Sequence, residues 1–529
     1  MSSQPPLFSD FASETGRSSF PLAVIELGTS AIRMAIGVKN RENRVKTVEQ
    51  LVHGVSLGKD TFTAGDIKQN TQQQCVDVLK IYRRKLEEYQ CTNPQHIRVV
   101  ATSAVREAQN RMTFLDRIYT STGFNVEQID DAEIARVTYL AMRPVLQSHP
   151  ELRDATTMLI EVGGGNTDVL ILQGKDILHS QSWRLGALRL QQMLKTYRTA
   201  QSQSVDIMTG QIERVLEQIS DTVPKGQPVE LVALGGDVRF AARELQRDLN
   251  QSQIVRLPVT ELARLTREMQ NLTIDQIVLR YHVELSQAET LVPALMTNVM
   301  AAQMLGVSDV LVTRFNLRDA LLSSLLRSSE WTEEFCEQVI HSARDFARRY
   351  SVDLTHAEHV AELSRQLFRG LQDVHKLDLR CETILYIAAL LHEAGLYVSQ
   401  NAYHKHSYYL ISHGELFGLS DVDQQLVALV ARYHRRAVPK SSHDAYARLR
   451  RKNRVIMSQL AAMLRLVVSL NHGRSQRVND IQCRPERQRL VITAPESAGN
   501  LSLERQALQQ ESGLFREVFG MSVLLRQDA

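Results

Sequence analysis

Two stretches of the chain share one order of apolar and polar positions. Residues 22–38 read LAVIELGTSAIRMAIGV and residues 157–173 read TMLIEVGGGNTDVLILQ, so in each an apolar run passes through glycine and hydroxyl or amide residues into a second apolar run. Short apolar runs on either side of a glycine-containing turn are typical of β-hairpins. Glu161 follows Glu26 by 135 positions, and the glycines keep the same offset. The sequence therefore predicts a duplicated unit with a turn at its centre.

The pattern changes along the rest of the chain. Ile97–Ala101 and Val229–Leu234 read as buried strands, each followed by a helix. Beyond Pro258 the spacing of apolar residues is almost wholly helical, apart from a short strand near 310 and a β-rich stretch at 489–493. A boundary between an α/β half and a helical half is therefore predicted near 328–330.

The turns carry groups that suit phosphate. Glycines can adopt positive φ and expose main-chain N–H groups, and hydroxyl and amide side chains add donors. An arginine near the start of the helix after 97–101, and a glycine pair after 229–234, offer similar chemistry, although a solvated arginine and simple helix packing are the alternatives. The candidate phosphate-binding residues are Gly28, Thr29, Ser30, Arg106, Gly163, Gly164, Gly165, Asn166, Thr167, Gly235 and Gly236.

Carboxylates end both entering strands. Glu26 and Glu161 lie beside the turns, where a divalent cation would bridge them to phosphate oxygens, and Mg²⁺ is the expected ion. Asp131 and Glu133 begin a predicted helix at 131–142. Acidic residues there are usually caps, but a general base could also point from this turn into a cleft.

Composition excludes several classes of protein. The chain of 529 residues allows three or four domains, and a formal net charge of +3 implies nothing about partners by itself. Five scattered cysteines without a CxxC pair argue against a zinc ribbon or a disulfide framework, and fit a reducing cytoplasm. No segment approaches eighteen uncharged apolar residues, so no membrane span is expected. The polar first twenty residues are predicted to be disordered.

These motifs, in this order, resemble the exopolyphosphatase and guanosine pentaphosphate phosphohydrolase family. The resemblance rests on VIELGTSAIRM, VVATSAVREA, LIEVGGGNTDVLIL and LVALGGD, then on HAEHVAELSRQLF, AALLHEAGLYVSQNAYHKHSYYLI, VARYHRRAVPK and MLRLVVSLNH. It implies two duplicated actin-like (ribonuclease H-like) α/β domains, an all-α HD-like domain and a small α+β region. The implied divisions are a tail at 1–20, α/β domains at 21–143 and 144–328, the helical domain at 329–478, and the last region at 479–529.

The resemblance implies release of the terminal phosphate of inorganic polyphosphate by metal-assisted, in-line attack of water. Guanosine pentaphosphate is the alternative substrate, and a catalytically weakened polyphosphate or nucleotide sensor is the alternative role. The resemblance also implies a homodimer. Glu26 and Glu161 stand where the family has aspartate, and its catalytic glutamate aligns with Ile134. Glu133, one residue earlier and about 100° around the helix, is the remaining candidate for the catalytic base.

The helical half offers a second candidate centre. His356, His392 and Glu393 align with metal-ligand positions of HD-type phosphohydrolases, but a later ligand position falls on Val468. Histidines with structural roles are therefore expected there rather than a metal-dependent hydrolase.

A basic segment follows in the same half. Between 432 and 454, nine basic residues stand against one acidic residue, which is typical of a solvated face and also of a track for a linear polyanion. Nucleic acid is not expected, because no array of base-stacking aromatic residues accompanies the arginines. The predicted polyanion track is Arg432, Arg435, Arg436, Lys440, Arg450, Arg451 and Lys452.

Overall fold

The computed structural model describes residues 20–39, 45–174, 176–197, 201–247, 249, 253–326 and 331–528. The chain forms two compact units, 1–330 and 331–529. Of the tail predicted to be disordered, residues 1–19 lie outside the described residues.

The first unit begins with a five-stranded sheet in the order β3-β2-β1-β4-β5. β1 and β2 form the first predicted hairpin, and β4 lies parallel to β1 on its other side. The strands are β1 (Pro21–Leu27), β2 (Ala31–Lys39), β3 (Val45–Gly54), β4 (Ile97–Ala101) and β5 (Val126–Gln128). The helices are α1 (Leu57–Ala64), α2 (Gln69–Glu88), α3 (Ser103–Arg106), α4 (Arg111–Thr122), α5 (Asp131–Gln147) and α6 (Pro150–Arg153).

A six-stranded sheet follows, in the order β10-β11-β9-β6-β7-β8. Its strands are β6 (Thr156–Val162), β7 (Thr167–Gln173), β8 (Asp176–Trp183), β9 (Val229–Leu234), β10 (Ile254–Pro258) and β11 (Asp309–Thr313). The helices are α7 (Ala187–Thr196), α8 (Gln201–Ser220), α9 (Gly236–Glu244), α10 (Val259–Gln270), α11 (Ile274–Tyr281), α12 (Leu285–Leu305) and α13 (Leu317–Leu325). The series β8-β7-β6-β9 repeats β3-β2-β1-β4 with the same strand directions, which confirms the duplicated fold.

The last helix of the first unit packs on the first sheet. Successive residues of a strand face opposite sides, so Leu22 and Val24 of β1 contribute to one apolar face while Ala23, Ile25 and Leu27 contribute to the opposite one. α5 and α13 cover the face with Leu22 and Val24, and Leu321 and Leu322 of α13 are fully buried there. The sequence division at 144–328 placed this helix with the second sheet, because chain order does not show a return crossing.

The second unit is mainly helical. Its helices are α14 (Glu333–Arg349), α15 (Leu354–Gly370), α16 (Gln372–His375), α17 (Leu379–Leu391), α18 (Tyr403–His413), α19 (Asp421–Arg432), α20 (Asp444–Ala447), α21 (Arg451–Leu470), α22 (Ser502–Glu511) and α23 (Gly513–Phe519). A small sheet, β12-β13-β14, contains β12 (Gln482–Glu486), β13 (Arg489–Ala494) and β14 (Ser522–Gln527). Among the described helices, α21 alone is long and apolar enough to cross a membrane, and 67% of its most apolar window is buried within the protein, as in a core helix.

Candidate active site

The two hairpin turns are built alike. In the first turn, the Gly28 N–H donates to the Ala31 carbonyl at 3.1 Å, and in the second turn the Gly163 N–H donates to the Asn166 carbonyl at 2.8 Å. Donor and acceptor are both displaced by 135 positions. The duplication seen in the sequence therefore extends to the hydrogen bond that closes each turn.

The glycines of the second turn permit close approach between segments. Gly163, Gly164 and Gly165 do not have positive φ. A Cβ on Gly164 would lie 2.8 Å from the Thr29 Cβ, and a Cβ on Gly165 would lie 2.5 Å from the Ser103 Oγ. The expected positive φ is therefore wrong, and the glycines instead let the two turns and α3 pack against one another.

A polar cleft of about 210 Å³ lies between the turns. Thr167 does not face it, because this residue is fully buried and its hydroxyl donates to the Leu185 carbonyl. Adjacent residues of a strand face opposite sides, and the next residue, Asp168, lines the cleft. The other predicted phosphate-binding residues also line it: Gly28, Thr29, Ser30, Arg106, Gly163, Gly164, Gly165, Asn166, Gly235 and Gly236.

The two candidate metal-binding carboxylates have different partners. Glu26 lies opposite Arg33 in the first hairpin, whereas Glu161 lies opposite Asp168 at the equivalent position of the second. Burial acts to raise the pKa of Glu26, but ion pairs with Arg318 and Arg33 outweigh it, so this pKa is lowered. Glu161 forms no ion pair with a described residue. The structure thus pairs Glu26 with arginines and places Glu161 beside a second carboxylate.

Glu161 and Asp168 are neighbouring buried carboxylates, and the pKa of each is raised. Burial raises the pKa of Glu161, and the charge of Glu26 adds to this effect, while Arg239 opposes it. Burial also raises the pKa of Asp168 to about 7, although a hydrogen bond with Ser182 opposes the change. A divalent cation relieves the cost of keeping buried carboxylates charged. Glu161 therefore fits a hard, oxygen-preferring ion such as Mg²⁺, whereas Glu26 is already neutralised.

Four arginines line the cleft, and sequence reasoning identified one of them. Arg106 donates to the Ile129 carbonyl at 2.6 Å and to the carboxylate of Asp131. Sequence reasoning missed Arg33, Arg239, Arg318 and the carboxylate of Asp168, all of which line the cleft. The 135-position offset relates Arg33 to Asp168 and could have drawn attention to both. Arg318 reaches Glu26 from 292 positions away, and no local pattern marks it.

Glu133 does not line the cleft. Its carboxylate accepts hydrogen bonds from Arg98 at 3.1 Å and from Arg136 at 2.9 Å. Burial acts to raise the pKa of Glu133, but these arginines outweigh it and the pKa is lowered. Ile134 forms part of the cleft wall instead, because one helical residue turns the side chain by about 100°. The structure does not bring the predicted base to the turns.

In the second unit, the structure brings His356, His392 and Glu393 together. One ligand atom from each lies within 4.8 Å of the others. Asn471, three residues after Val468, contacts His356 through an Nδ2–Nδ1 distance of 3.0 Å. Burial lowers the pKa of His356 to about 4 and also lowers the pKa of His392, so both imidazoles are neutral at pH 7.

The predicted polyanion track lies along the segment from the end of α19 to the start of α21. Arg435 lies over the Tyr403 ring, 4.9 Å from its centroid. Buried Arg465 donates to the carbonyls of Tyr433 and Ala437 at 2.8 and 2.7 Å, which anchors the start of this segment. Arg436, Lys440, Arg450, Arg451 and Lys452 are exposed, and Arg432 and Arg435 are half-buried.

Comparisons with known proteins agree with this fold. A model of the Ppx/GppA phosphatase family matches residues 36–329, and a model of Ppx/GppA phosphatase, domain III, matches residues 340–513. A guanosine-5'-triphosphate,3'-diphosphate pyrophosphatase of Photobacterium profundum is 23% identical over 498 residues, which cover 93% of this chain and 95% of that relative. The same-named protein of Aliivibrio fischeri is 22% identical and covers 85% and 87%. The crystal structure of an exopolyphosphatase from Cytophaga hutchinsonii superposes with a TM-score of 0.51 at 22% identity, over 58% of this chain and 97% of that one.

Proposed function

Since the chain belongs to the Ppx/GppA phosphatase family, we propose that it is a hydrolase that releases the terminal phosphate of inorganic polyphosphate in the cleft between its hairpin turns. One observation carries the proposal: the cleft combines main-chain groups of both turns, four arginines and a carboxylate pair, Glu161 and Asp168. In-line phosphoryl transfer to water needs cationic groups on the phosphate oxygens and a positioned acceptor for the proton of water.

The binding groups come from three elements. The N–H groups of Gly28 and Gly163 already donate within their turns. The later N–H groups of both turns and those at the start of α9 would hold the terminal phosphate, with Arg106 beside them. Glu161 would hold a divalent cation, which neutralises charge on phosphate oxygens when bound. Glu26 keeps Arg33 and Arg318 in place rather than serving as a second metal ligand.

We assign the role of proton acceptor to Asp168 in place of Glu133. Asp168 lines the cleft, whereas Glu133 is held by Arg98 and Arg136. The pKa of Asp168, about 7, suits a general base at neutral pH. Ile134 at the aligned position cannot accept a proton, and the carboxylate of Asp131 on the same helix is paired with Arg106.

The lining of the cleft favours a plain phosphate chain over a nucleotide. None of the described residues that line it is aromatic, so a guanine base would find no stacking partner there. Guanosine pentaphosphate is the second candidate, because relatives named guanosine-5'-triphosphate,3'-diphosphate pyrophosphatase match nearly the whole chain. A nucleotide would extend beyond the cleft, with only its terminal phosphate inside.

A phosphate-release assay tests the proposal. The full-length protein would be supplied with Mg²⁺ and, separately, with long-chain polyphosphate, tripolyphosphate and guanosine pentaphosphate. We expect the highest kcat/KM with long-chain polyphosphate. A higher value with guanosine pentaphosphate would establish the second candidate, and tight binding of polyphosphate without release would establish the sensor role.

The basic segment can be tested with the same substrates. Replacing Arg435, Arg436, Arg450 and Arg451 by Gln should raise KM for long chains far more than for tripolyphosphate, and should reduce the salt dependence of binding. A matched control replaces four exposed arginines of the C-terminal region, Arg484, Arg487, Arg505 and Arg526. Equal losses for both chain lengths, or for both variants, would contradict a track.

A further inference from the structure

Three ligating side chains converge where helices of the second unit meet. His356 lies in the first turn of α15, His392 follows the last residue of α17, and Glu393 is its neighbour. The His356 Nε2 lies 3.8 Å from the Glu393 Oε2, and the rings of His356 and His392 have centroids 5.9 Å apart. We refer to these three residues as the His356 cluster. All three are at least nine-tenths buried.

His392 has a polar atom with nothing to bind. Its Nδ1 lies 2.6 Å from the Ala389 carbonyl, so this nitrogen carries the proton and donates it. The Nε2 then carries a lone pair, and it is buried without a hydrogen-bond partner among the described residues. Buried polar atoms are nearly always satisfied. In metal-binding histidines, one ring N–H usually donates a hydrogen bond to a group such as a backbone carbonyl, and the other ring nitrogen binds the metal.

Glu393 is held with one oxygen turned towards the histidines. Arg474 donates to its Oε1, while its Oε2 is the oxygen that lies 3.8 Å from His356. Arg474 is half exposed, so this contact ties the carboxylate to the edge of the cluster without filling the centre. The carboxylate thus offers one oxygen to the same space as the Nε2 of His392.

Asn471 can set the tautomer of His356. The side-chain amide of Asn471 lies 3.0 Å from the His356 Nδ1. Amide oxygen and nitrogen exchange places by a half-turn of the side chain. This half-turn gives up the 3.4 Å hydrogen bond from the Gln476 N–H to the Asn471 Oδ1 and lets the amide oxygen accept a hydrogen bond from the His356 Nδ1–H. His356 then presents the lone pair of Nε2 to the cluster, as His392 does.

We propose that the His356 cluster binds one first-row divalent transition-metal ion, with His356, His392 and Glu393 as its protein ligands. Two imidazoles and one carboxylate suit Zn²⁺ and its neighbours, whereas Mg²⁺ requires oxygen ligands. The sequence led us to expect no metal here, because Val468 occupies a ligand position. The structure adds an observation that the sequence could not provide, which is the buried His392 Nε2 without a hydrogen-bond partner among the described residues. The site is separate in its chemistry from the oxygen-lined cation site of Glu161.

Metal titration of the full-length protein tests the proposal. The protein, stripped with a chelator and then kept in excess Mg²⁺ to occupy oxygen-only sites, is titrated with Co²⁺ and, separately, with Zn²⁺. We expect one equivalent of Co²⁺ to produce visible absorption bands, Zn²⁺ to abolish them by displacement, and Zn²⁺ to raise the unfolding temperature. Absence of a stoichiometric Co²⁺ or Zn²⁺ site in the wild-type protein would overturn the proposal whatever the variants do.

Four variants locate the site. His392→Ala and Glu393→Gln should each weaken Co²⁺ binding at least about a hundredfold, since ligands and their supporting groups are worth 10- to 100-fold or more. His375→Ala is the matched control, because His375 is equally buried in the second unit but both its nitrogens have partners. Circular dichroism checks that each variant is folded. Glu161→Gln should leave the Co²⁺ signal unchanged, and loss of the signal in that variant would place the metal in the phosphate cleft instead.

Discussion

Moving the carboxylate from residue 168 to residue 134 by substitution tests which side chain accepts the proton of the attacking water. Asp168→Asn removes the carboxylate with little change in size, and Ile134→Glu adds one to the cleft wall. We expect the first substitution to lose most turnover. The double substitution should recover part of it, because position 134 is where the family's catalytic glutamate aligns.

The expected loss of kcat follows from the role of Asp168 as a general base. General-base assistance is worth about 10² to 10⁴ in rate, so Asp168→Asn should lower kcat by about that factor. The carboxylate introduced at Ile134 would lie near Asp131, which opposes its ionisation, and near Arg106, which favours it. Ile134 is only 9% exposed, so the substitution costs about 2 kcal/mol of stability. We therefore expect a recovery of about tenfold, which is less than the 10² to 10⁴ that a well-placed base contributes.

The assay is single-turnover phosphate release from tripolyphosphate, measured from about pH 5.5 to 9. A base must be deprotonated to act, so the wild-type rate should fall about tenfold per unit below the pKa of Asp168 and level off above it. This pKa is about 7 without a cation, and a cation held by Glu161 opposite would lower it. Ile134→Gln in the Asp168→Asn background controls for size. A Mg²⁺ titration separates the two carboxylates, because Glu161→Gln should raise the Mg²⁺ concentration needed and Asp168→Asn should not.

Three results would refute the reasoning. The assignment fails if Asp168→Asn leaves kcat unchanged, or if the Gln control recovers as much activity as Ile134→Glu. It also fails if Asp168→Asn mainly shifts the Mg²⁺ requirement, because Asp168 would then be a cation ligand.

Glu133→Gln should destabilise the fold by about 3 kcal/mol in urea unfolding, because it removes a carboxylate that both Arg98 and the buried Arg136 contact, with turnover per folded molecule unchanged; a selective loss of kcat would restore Glu133 as the base. Glu289 pairs with Lys59 at 2.7 Å; burial acts to raise its pKa, but its lysine partners outweigh burial and lower it. Its contribution of about 1 kcal/mol should be present at neutral pH and lost as pH falls below the unfolded value of 4.5 and through the lowered folded-state pKa, so the stability gap between wild type and Glu289→Gln should shrink as the pH is lowered; a constant gap would rule out this ion pair as its source. Gly164→Ala should abolish phosphate release without unfolding the protein, because its Cβ would lie 2.8 Å from the Thr29 Cβ and force the turns apart, and Thr29→Gly should restore part of the activity; full activity of Gly164→Ala alone would show that the turns need not touch.

The hairpins were predictable because their information is local. An apolar run, a glycine turn and a second run are contiguous, and the 135-position repeat adds a check that a single hairpin lacks. Most of the candidate phosphate-binding residues were identified from those turns. All of the candidates except Thr167 line the cleft. The prediction for Thr167 was wrong because this residue is the first of β7, where side chains already alternate between the two faces of the sheet, and its own side chain points away from the cleft.

The rest depended on contacts between distant segments. Arg318 reaches Glu26 from the start of α13, a helix that returns to the first sheet. Glu133 was adjacent in sequence to the aligned position, yet Arg98 on β4 and Arg136 on its own helix hold it away. The contacts of Arg318 and Arg98 have no sequence spacing that marks them, whereas the i,i+3 spacing of Glu133 and Arg136 indicates a pair on one helix. The carboxylate of Asp168 could have been found, since it occupies the position that Arg33 holds in the first copy.

The residue opposite the strand-end glutamate makes the two copies of the hairpin alike in backbone but opposite in charge. In one copy the glutamate faces Arg33, and in the other it faces Asp168. An approximate twofold pair of turns would present the same electrostatic potential to both sides of a bound phosphate. Here one wall is anion-attracting and the other cation-attracting, so a field runs across the cleft from one copy to the other. The phosphate and the cation that we propose for this cleft would then take one order along that field, which gives the duplicated scaffold a direction.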